Sequence, residues 1–125
     1  MRLAYLLVPL ALVACGGSGG GSNQAPAEID LTATGATAGG NPTVNISMPS
    51  GGQVHFFNKD TKPHQIVSSN CPELNTGQLA PNTDSGLKTV TTQTTCTFSD
   101  SLNPSNGAYN GTITVLPPGN PGGGY

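Results

Sequence analysis

Few residues in this chain can do chemistry: two histidines, three cysteines and six carboxylates among 125 residues. His64 is the best placed of them. It stands in the run Val54 to Val67, VHFFNKDTKPHQIV, where Val54 and Phe56 alternate with His55 and Phe57, the period of a half-buried strand. Asn58 to Pro63 then make a turn, Pro63 holds its neighbour extended, and His64 to Val67 resume a strand. The pattern predicts one histidine at the mouth of a β-hairpin, where an imidazole suits metal ligation or a hydrogen-bonded framework. Alternation turns His55 away from that mouth. The carboxylates Asp60, Glu73, Asp84 and Asp100 are scattered, and no apolar pocket can be argued around any of them, which speaks against an acid–base hydrolase. No nucleophile motif accompanies the many Ser and Thr residues. The glycine runs at Gly16 to Gly21 and Gly122 to Gly124 follow no strand and open no helix, so they are not phosphate loops. With no catalytic set to name, the chain does not read as an enzyme.

The elements that must hold His64 are short strands. Glycine and proline together make up 29 of the 125 residues, and only 8% are charged, a composition rich in turns and poor in helix formers. Ile29, Leu31 and Ala33 alternate with Asp30 and Thr32, and Val44, Ile46 and Met48 alternate with Asn45 and Ser47. Thr34 to Pro42 is a loose glycine-rich connection, and Pro49 to Gly52 is a turn into the central hairpin. After a strand over His64 to Ser69, Cys71 to Asp84 is mostly loop. A polar strand covers about Ser85 to Thr91, and in Thr95 to Asp100 the residues Cys96, Phe98 and Asp100 share one face. Ser101 to Asn110 is a loop, and Gly111 to Leu116 closes the sheet with Ile113 and Val115 inward. Seven or eight such strands without a helical period predict an all-β, antiparallel sandwich or barrel.

Met1 to Cys15, MRLAYLLVPLALVAC, has one positive residue and then an apolar run too short for a permanent membrane span. Leu12-Val13-Ala14-Cys15 resembles a bacterial lipobox, which implies that residues 1–14 are a signal peptide and that Cys15 carries lipid. Acyl chains contribute about 0.8 kcal/mol per buried methylene, enough for several to anchor the domain to a membrane. Gly16 rather than Asp follows Cys15, which by resemblance to sorted lipoproteins favours the outer membrane over the inner within the bacterial cell envelope. Residues 16–26, GGSGGGSNQAP, cannot fold alone and read as a tether, so residues 15–26 carry the lipid and tether. The domain runs from 27 to 116, and 117–125 form a Pro/Gly tail. Without Arg2 the chain keeps three Lys against six acidic residues, and no basic cluster suggests a nucleic-acid partner. Asn45-Ile46-Ser47 and Asn110-Gly111-Thr112 match a glycosylation acceptor pattern that is incidental in a bacterial lipoprotein.

Phe56, Asn58, Pro63 and His64 stand in the order and spacing of the cupredoxins, the plastocyanin-like domains. In that family F-x-N leads through a short loop to a Pro-His pair whose His is a copper ligand. The resemblance implies a cupredoxin-like Greek-key sandwich or barrel. Blue-copper members take a Cys, a second His and usually a Met from the loop between the last two strands. Aligning Phe98 and Gly111 with the family puts Asp100 where that Cys belongs, Asn103 where the second His belongs and Tyr109 where Met belongs, so of four ligands His64 alone survives. The colour and potential of such sites depend on the copper–thiolate bond, so no blue centre and no bound cofactor are expected. Asp100 is expected within hydrogen-bonding reach of His64, filling the copper pocket. A colourless copper(II) site using His64 and Asp100, with His55 as a further candidate ligand, is the alternative, since imidazole and carboxylate are acceptable ligands.

With Cys15 lipidated, Cys71 and Cys96 remain as a pair in an oxidising compartment, where a disulfide is the economical reading. The resemblance places both on neighbouring strands at similar depth. Ligation of copper by one of the thiols is the other reading, although neither falls at the family's ligand position. The sequence thus points to a membrane-anchored binding or structural module with an unidentified protein partner, and alternatively to a copper or electron-transfer protein centred on His64.

Overall fold

The computed structural model describes residues 24–117. Their eight strands are β1 (Ala27–Thr32), β2 (Gly35–Ala38), β3 (Val44–Pro49), β4 (Gly52–Asn58), β5 (Ile66–Val67), β6 (Lys88–Val90), β7 (Thr95–Asp100) and β8 (Gly111–Leu116). Two single-turn 3-10 segments, Pro72–Leu74 and Gly107–Tyr109, supplement them, and no α-helix occurs among the described residues. One sheet has the order β2-β1-β4-β6 and the other β3-β8-β7-β5.

The alternation read in the sequence becomes the packing of the two sheets. Ile29, Leu31, Val54, Phe56 and Val90 project from the first sheet, and Met48, Ile66, Cys96, Ile113 and Val115 from the second, into one buried core. Phe56 and Phe98 meet across it edge to face, with ring centroids 5.2 Å apart, a favoured geometry for aromatic pairs. Burying each large apolar side chain contributes about 1.5–3 kcal/mol.

The structure departs from the sequence expectations in direction and connection. The sheets are mixed rather than antiparallel: β1 pairs with β4 and β3 with β8 in parallel. Alternation specifies which face a residue takes and is silent on strand direction. The hairpin around His64 also does not form. β4 lies in the first sheet, and β5 pairs with β7 in the second through Ile66–Asp100 and Val67–Ser99, so Lys59 to Gln65 carry the chain from one sheet to the other. The expected strands over His64–Ser69 and Ser85–Thr91 shorten to Ile66–Val67 and Lys88–Val90. The stretch expected as a loose connection contains β2, antiparallel to β1. Its sequence, GATA, carries only Thr37 of the branched or aromatic residues that mark a strand.

β2 bears on the site through Gly35. This glycine has φ +148°, and a Cβ there would lie 2.6 Å from the carbonyl oxygen of Ala108. Only the bare glycine backbone lets β2 approach the turn that carries Tyr109.

Cys71 and Cys96 form a disulfide, with Cα atoms 5.6 Å apart and both residues fully buried. It ties the turn at Pro72 to β7. The 25-residue separation gives about 3 kcal/mol in the chain-entropy model. Replacing both cysteines with alanine is expected to lower unfolding free energy by about that amount in urea titrations. A change below about 1 kcal/mol would show that the cross-link constrains the unfolded chain far less than loop entropy requires.

Candidate functional site

Asn58, the last residue of β4, is fully buried and builds the crossing between the sheets. Its side-chain oxygen accepts from Asp60 N–H at 2.9 Å, while its amide nitrogen donates to the carbonyls of Lys62 at 2.8 Å and Leu79 at 3.0 Å. Asn is suited to this work because one short side chain both accepts and donates locally. The loop therefore leaves β4 in a fixed shape. His64 is then clamped by two backbone bonds with Leu79, its N–H donating at 3.1 Å and its carbonyl accepting at 2.7 Å.

The imidazole so placed is 1% exposed and lies between two carboxylates. Nδ1 is 2.5 Å from Asp100 Oδ2, and Nε2 is 2.9 Å from Asp60 Oδ2. Because an ionised carboxylate only accepts, a ring bonded to one at each nitrogen must donate twice, as an imidazolium does. One cation then faces two anions. The surplus negative charge is taken up by fixed donors: Gln65 N–H and Leu102 N–H each reach Asp100 Oδ1 at 3.0 Å, Asn103 Nδ2 donates to Asp100 Oδ2 at 2.6 Å, and Thr61 N–H reaches Asp60 Oδ1 at 2.7 Å. Such charge-assisted bonds are about twice as strong as neutral ones.

The carboxyl groups respond to these donors. Burial pushes the Asp100 carboxyl up, but the bonds from His64, Gln65, Asn103 and Leu102 outweigh it and hold the group below its usual range. The hydrogen bond from His64 chiefly holds Asp60 down as well, with help from Thr61 N–H. Tyr109 closes the cluster. Its ring centroid is 4.7 Å from that of His64, and its hydroxyl donates to the Thr32 carbonyl at 2.6 Å. Burial, then the charges of Asp60 and Asp100, push the Tyr109 phenol up, so it remains a neutral donor.

Of the residues singled out in the sequence, His64, Asp100, Asn103 and Tyr109 all meet in this cluster. His55 does not join it. On the outer side of β4 it contacts Asp84 Oδ2 through Nδ1 at 2.5 Å, with Glu28 3.6 Å from Nε2. Burial pushes the Asp84 carboxyl up, and the bonds from His55 and Gly86 N–H bring it down. Cys71 and Cys96 are consumed in the disulfide. Cys15 lies outside the described residues. Asp60 was not foreseen at the imidazole. Its signal is the N-x-D turn, through which Asn58 brings Asp60 back towards the ring four positions later.

Searches against family models and against curated proteins return no match. Solved structures do match. A purple cupredoxin from Nitrosopumilus maritimus superposes with TM-score 0.56 at 20% identity, over 71% of this chain and 98% of that one. The chain has a cupredoxin-like fold. Amicyanin from Paracoccus versutus gives TM-score 0.56 at 10% identity, over 72% of this chain and 80% of its own. Auracyanin from Roseiflexus castenholzii, in a dithionite-reduced crystal, gives 0.51 at 17% identity over 72% and 95%. At these identities the likeness concerns the framework alone.

The cupredoxin-like fold implies copper, and the residues present do not fit a blue centre. No cysteine thiolate stands near His64, because the described cysteines are joined to each other. A metal held by Nδ1 and Asp100 together would keep each donor about 2.0–2.2 Å from itself and thus the two donors roughly 3 Å or more apart, whereas they stand 2.5 Å apart. Among the described residues no three His, Cys, Asp or Glu side chains are placed to hold a metal ion. Both imidazole nitrogens are committed and the ring is sealed, so the cluster as it stands offers neither a ligand lone pair nor a general base.

The cluster contributes to the loss of stability in acid. With folded-state values below the ordinary 3.8, Asp60 and Asp100 contribute stability that is complete above the unfolded value and is lost as pH falls through the folded values. Asp100→Asn is expected to cost about 3–5 kcal/mol at neutral pH, because it removes one partner of a buried pair. The variant should also lose part of the stability decline below pH 4, measured by urea unfolding across pH. Superimposable acid profiles for the two proteins would contradict this account.

Proposed function

We propose that the chain is a cupredoxin-like module of the bacterial cell envelope that works by binding, with its ancestral metal pocket closed by protein groups. The observation that carries this reading is the commitment of both His64 nitrogens to Asp60 and Asp100 beneath the Tyr109 ring. A metal ligand needs a free imidazole lone pair, and to expose one the protein would have to break a charge-assisted bond in a dry interior. Asp100, Asn103 and Tyr109, which stand at the ligand positions of the family, act here as hydrogen-bonding and packing groups of the framework.

The test is a copper(II) titration of the full mature chain, followed by visible absorption, electron spin resonance and thermal unfolding. No intense blue band, no saturable binding and the same melting temperature with and without chelator are expected, because a ligand that binds only the folded state must stabilise it. A stoichiometric, colourless copper(II) signal that disappears in His64→Ala would establish the alternative, a non-blue copper protein built on His64 and Asp100. A blue band would overturn the ligand alignment itself.

The same proposal places the domain on a membrane surface through lipid on Cys15, with the outer membrane favoured by Gly16. Cys15→Ser is expected to move the protein from the membrane fraction to the soluble fraction and to abolish incorporation of labelled palmitate. Retention of both label and membrane association in the variant would remove the lipid anchor from the proposal.

A further inference from the structure

The outer face of the second sheet carries a groove of about 590 Å³ that crosses the ends of its four strands. This volume falls within the usual range of small-molecule sites, about 300–1,000 Å³. Strand alternation creates it. Val67 and Ser99, paired across β5 and β7, face outward, whereas their neighbours Ile66 and Asp100 face the core and the His64 cluster. The groove is thus separate from that cluster although it is built on the same strands.

The groove combines uncharged polar side chains with a larger share of apolar surface. Thr43, Asn45, Ser69, Thr97, Ser99 and Asn110 line it over a floor that includes Val44, Val67 and Phe98, and no Lys, Arg, His, Asp or Glu contributes. The ladder register aligns Thr97 with Thr112 and Thr112 with Asn45, so hydroxyl and amide groups repeat about every 4.8 Å across the strands.

This face has spare hydrogen-bonding capacity. Elsewhere Ser50, Thr83 and Ser85 donate their hydroxyls to backbone carbonyls, and beside the groove Thr95 pairs with Thr114. In the groove, the hydroxyls of Thr43, Ser69, Thr97 and Ser99 have no hydrogen-bond partner among the described residues, and Thr112 bonds only to Asn45 Oδ1, at 3.2 Å. That bond leaves the Asn45 amide N–H groups free to donate outward. Asn45 and Asn110, which begin the two acceptor-like tripeptides of the sequence, thus face one groove as binding groups.

We propose that this groove binds a neutral oligosaccharide. Charge and hydrogen bonding select that class. An anionic or cationic ligand finds no counter-charge, and a nucleic acid finds no basic groups. Hydroxyls and amides interrupt the apolar part of the lining, and a wholly apolar ligand would strip water from them without replacing their bonds. A protein interface would ordinarily present aromatic anchors, and none is exposed in the groove. A neutral sugar offers donors and acceptors in the same small, alternating pattern as the serine, threonine and asparagine side chains, with apolar C–H surface for Val67 and the groove floor. The inference rests on the reading of the domain as a binding module but not on the state of His64, so the copper and sugar titrations fail separately.

The experiment is nitrogen–proton correlation spectroscopy on the full mature chain, titrated in turn with chitohexaose, cellohexaose and maltohexaose. At least one is expected to give saturable shifts confined to the amides of residues 43–45, 67–69, 97–99 and 110–112. Thr97→Glu, which puts a charge on an exposed groove position, should abolish saturation at unchanged melting temperature. Thr89→Glu, on the other sheet, should leave it intact. Ser69→Lys carries the same test should Thr97→Glu perturb folding. The proposal is overturned if no sugar saturates up to its solubility limit, if the shifts map outside the groove, or if a hexagalacturonate anion shifts the same amides as strongly.

Discussion

The structure around the candidate site depends on one interaction, the buried imidazole of His64 held between Asp60 and Asp100. Taking three charged groups out of water is costly, and a buried ion pair need not stabilise a fold relative to an apolar replacement. Its structural importance is geometric. The bond to Asp60 is made from the turn after β4, and the bond to Asp100 from the end of β7 in the other sheet. His64 therefore fastens the two sheets where the chain crosses between them, and the short β5, only two residues long, is held in register by Asp100 from both its backbone and its side chain. An apolar replacement could fill the volume but would fix neither register nor loop.

The same interaction organises the polar groups around it. Asp100 pairs with the imidazole by hydrogen bonding. Asn103 donates to that carboxylate. Tyr109 covers His64 with its ring and reaches β1 with its hydroxyl. Each residue supplies a donor, an acceptor or a packing surface that the next one uses, so the space is filled by a mutually satisfied polar network. Partial satisfaction would be worse than an apolar core.

Much of this was legible in the sequence, and the limits have physical causes. The inward faces of β1, β3, β4, β7 and β8 followed from period-2 alternation, because a residue's face depends only on local backbone geometry. The meeting of His64 with Asp100 and Asn103 followed from the family resemblance around Phe56, Asn58, Pro63 and His64, with Phe98 and Gly111 as the second reference. Strand direction and sheet membership did not follow. The parallel β1–β4 and β3–β8 pairs and the separation of β4 from β5 are long-range choices that no local pattern encodes. β2 escaped because Gly-Ala-Thr-Ala packs by virtue of its smallness against Ala108, a property visible only once the partner is in place. Asp60 escaped because its approach to His64 is created by the Asn58 side chain, through a turn geometry that composition alone does not specify.

Alternation along the strands of the second sheet separates two kinds of polar chemistry that the sequence intermingles. On β7, Cys96, Phe98 and Asp100 face inward to a disulfide, an aromatic contact and an ion cluster, while Thr95, Thr97 and Ser99 face outward. The inner polar groups are fully committed because water is absent and an unpaired group there would cost about 1–3 kcal/mol. The outer groups are under no such compulsion, since water satisfies them, and their uncommitted capacity is available to a ligand that can match it. The same strands thus keep a committed polar interior and an open hydroxyl face, two environments separated by a single residue of register.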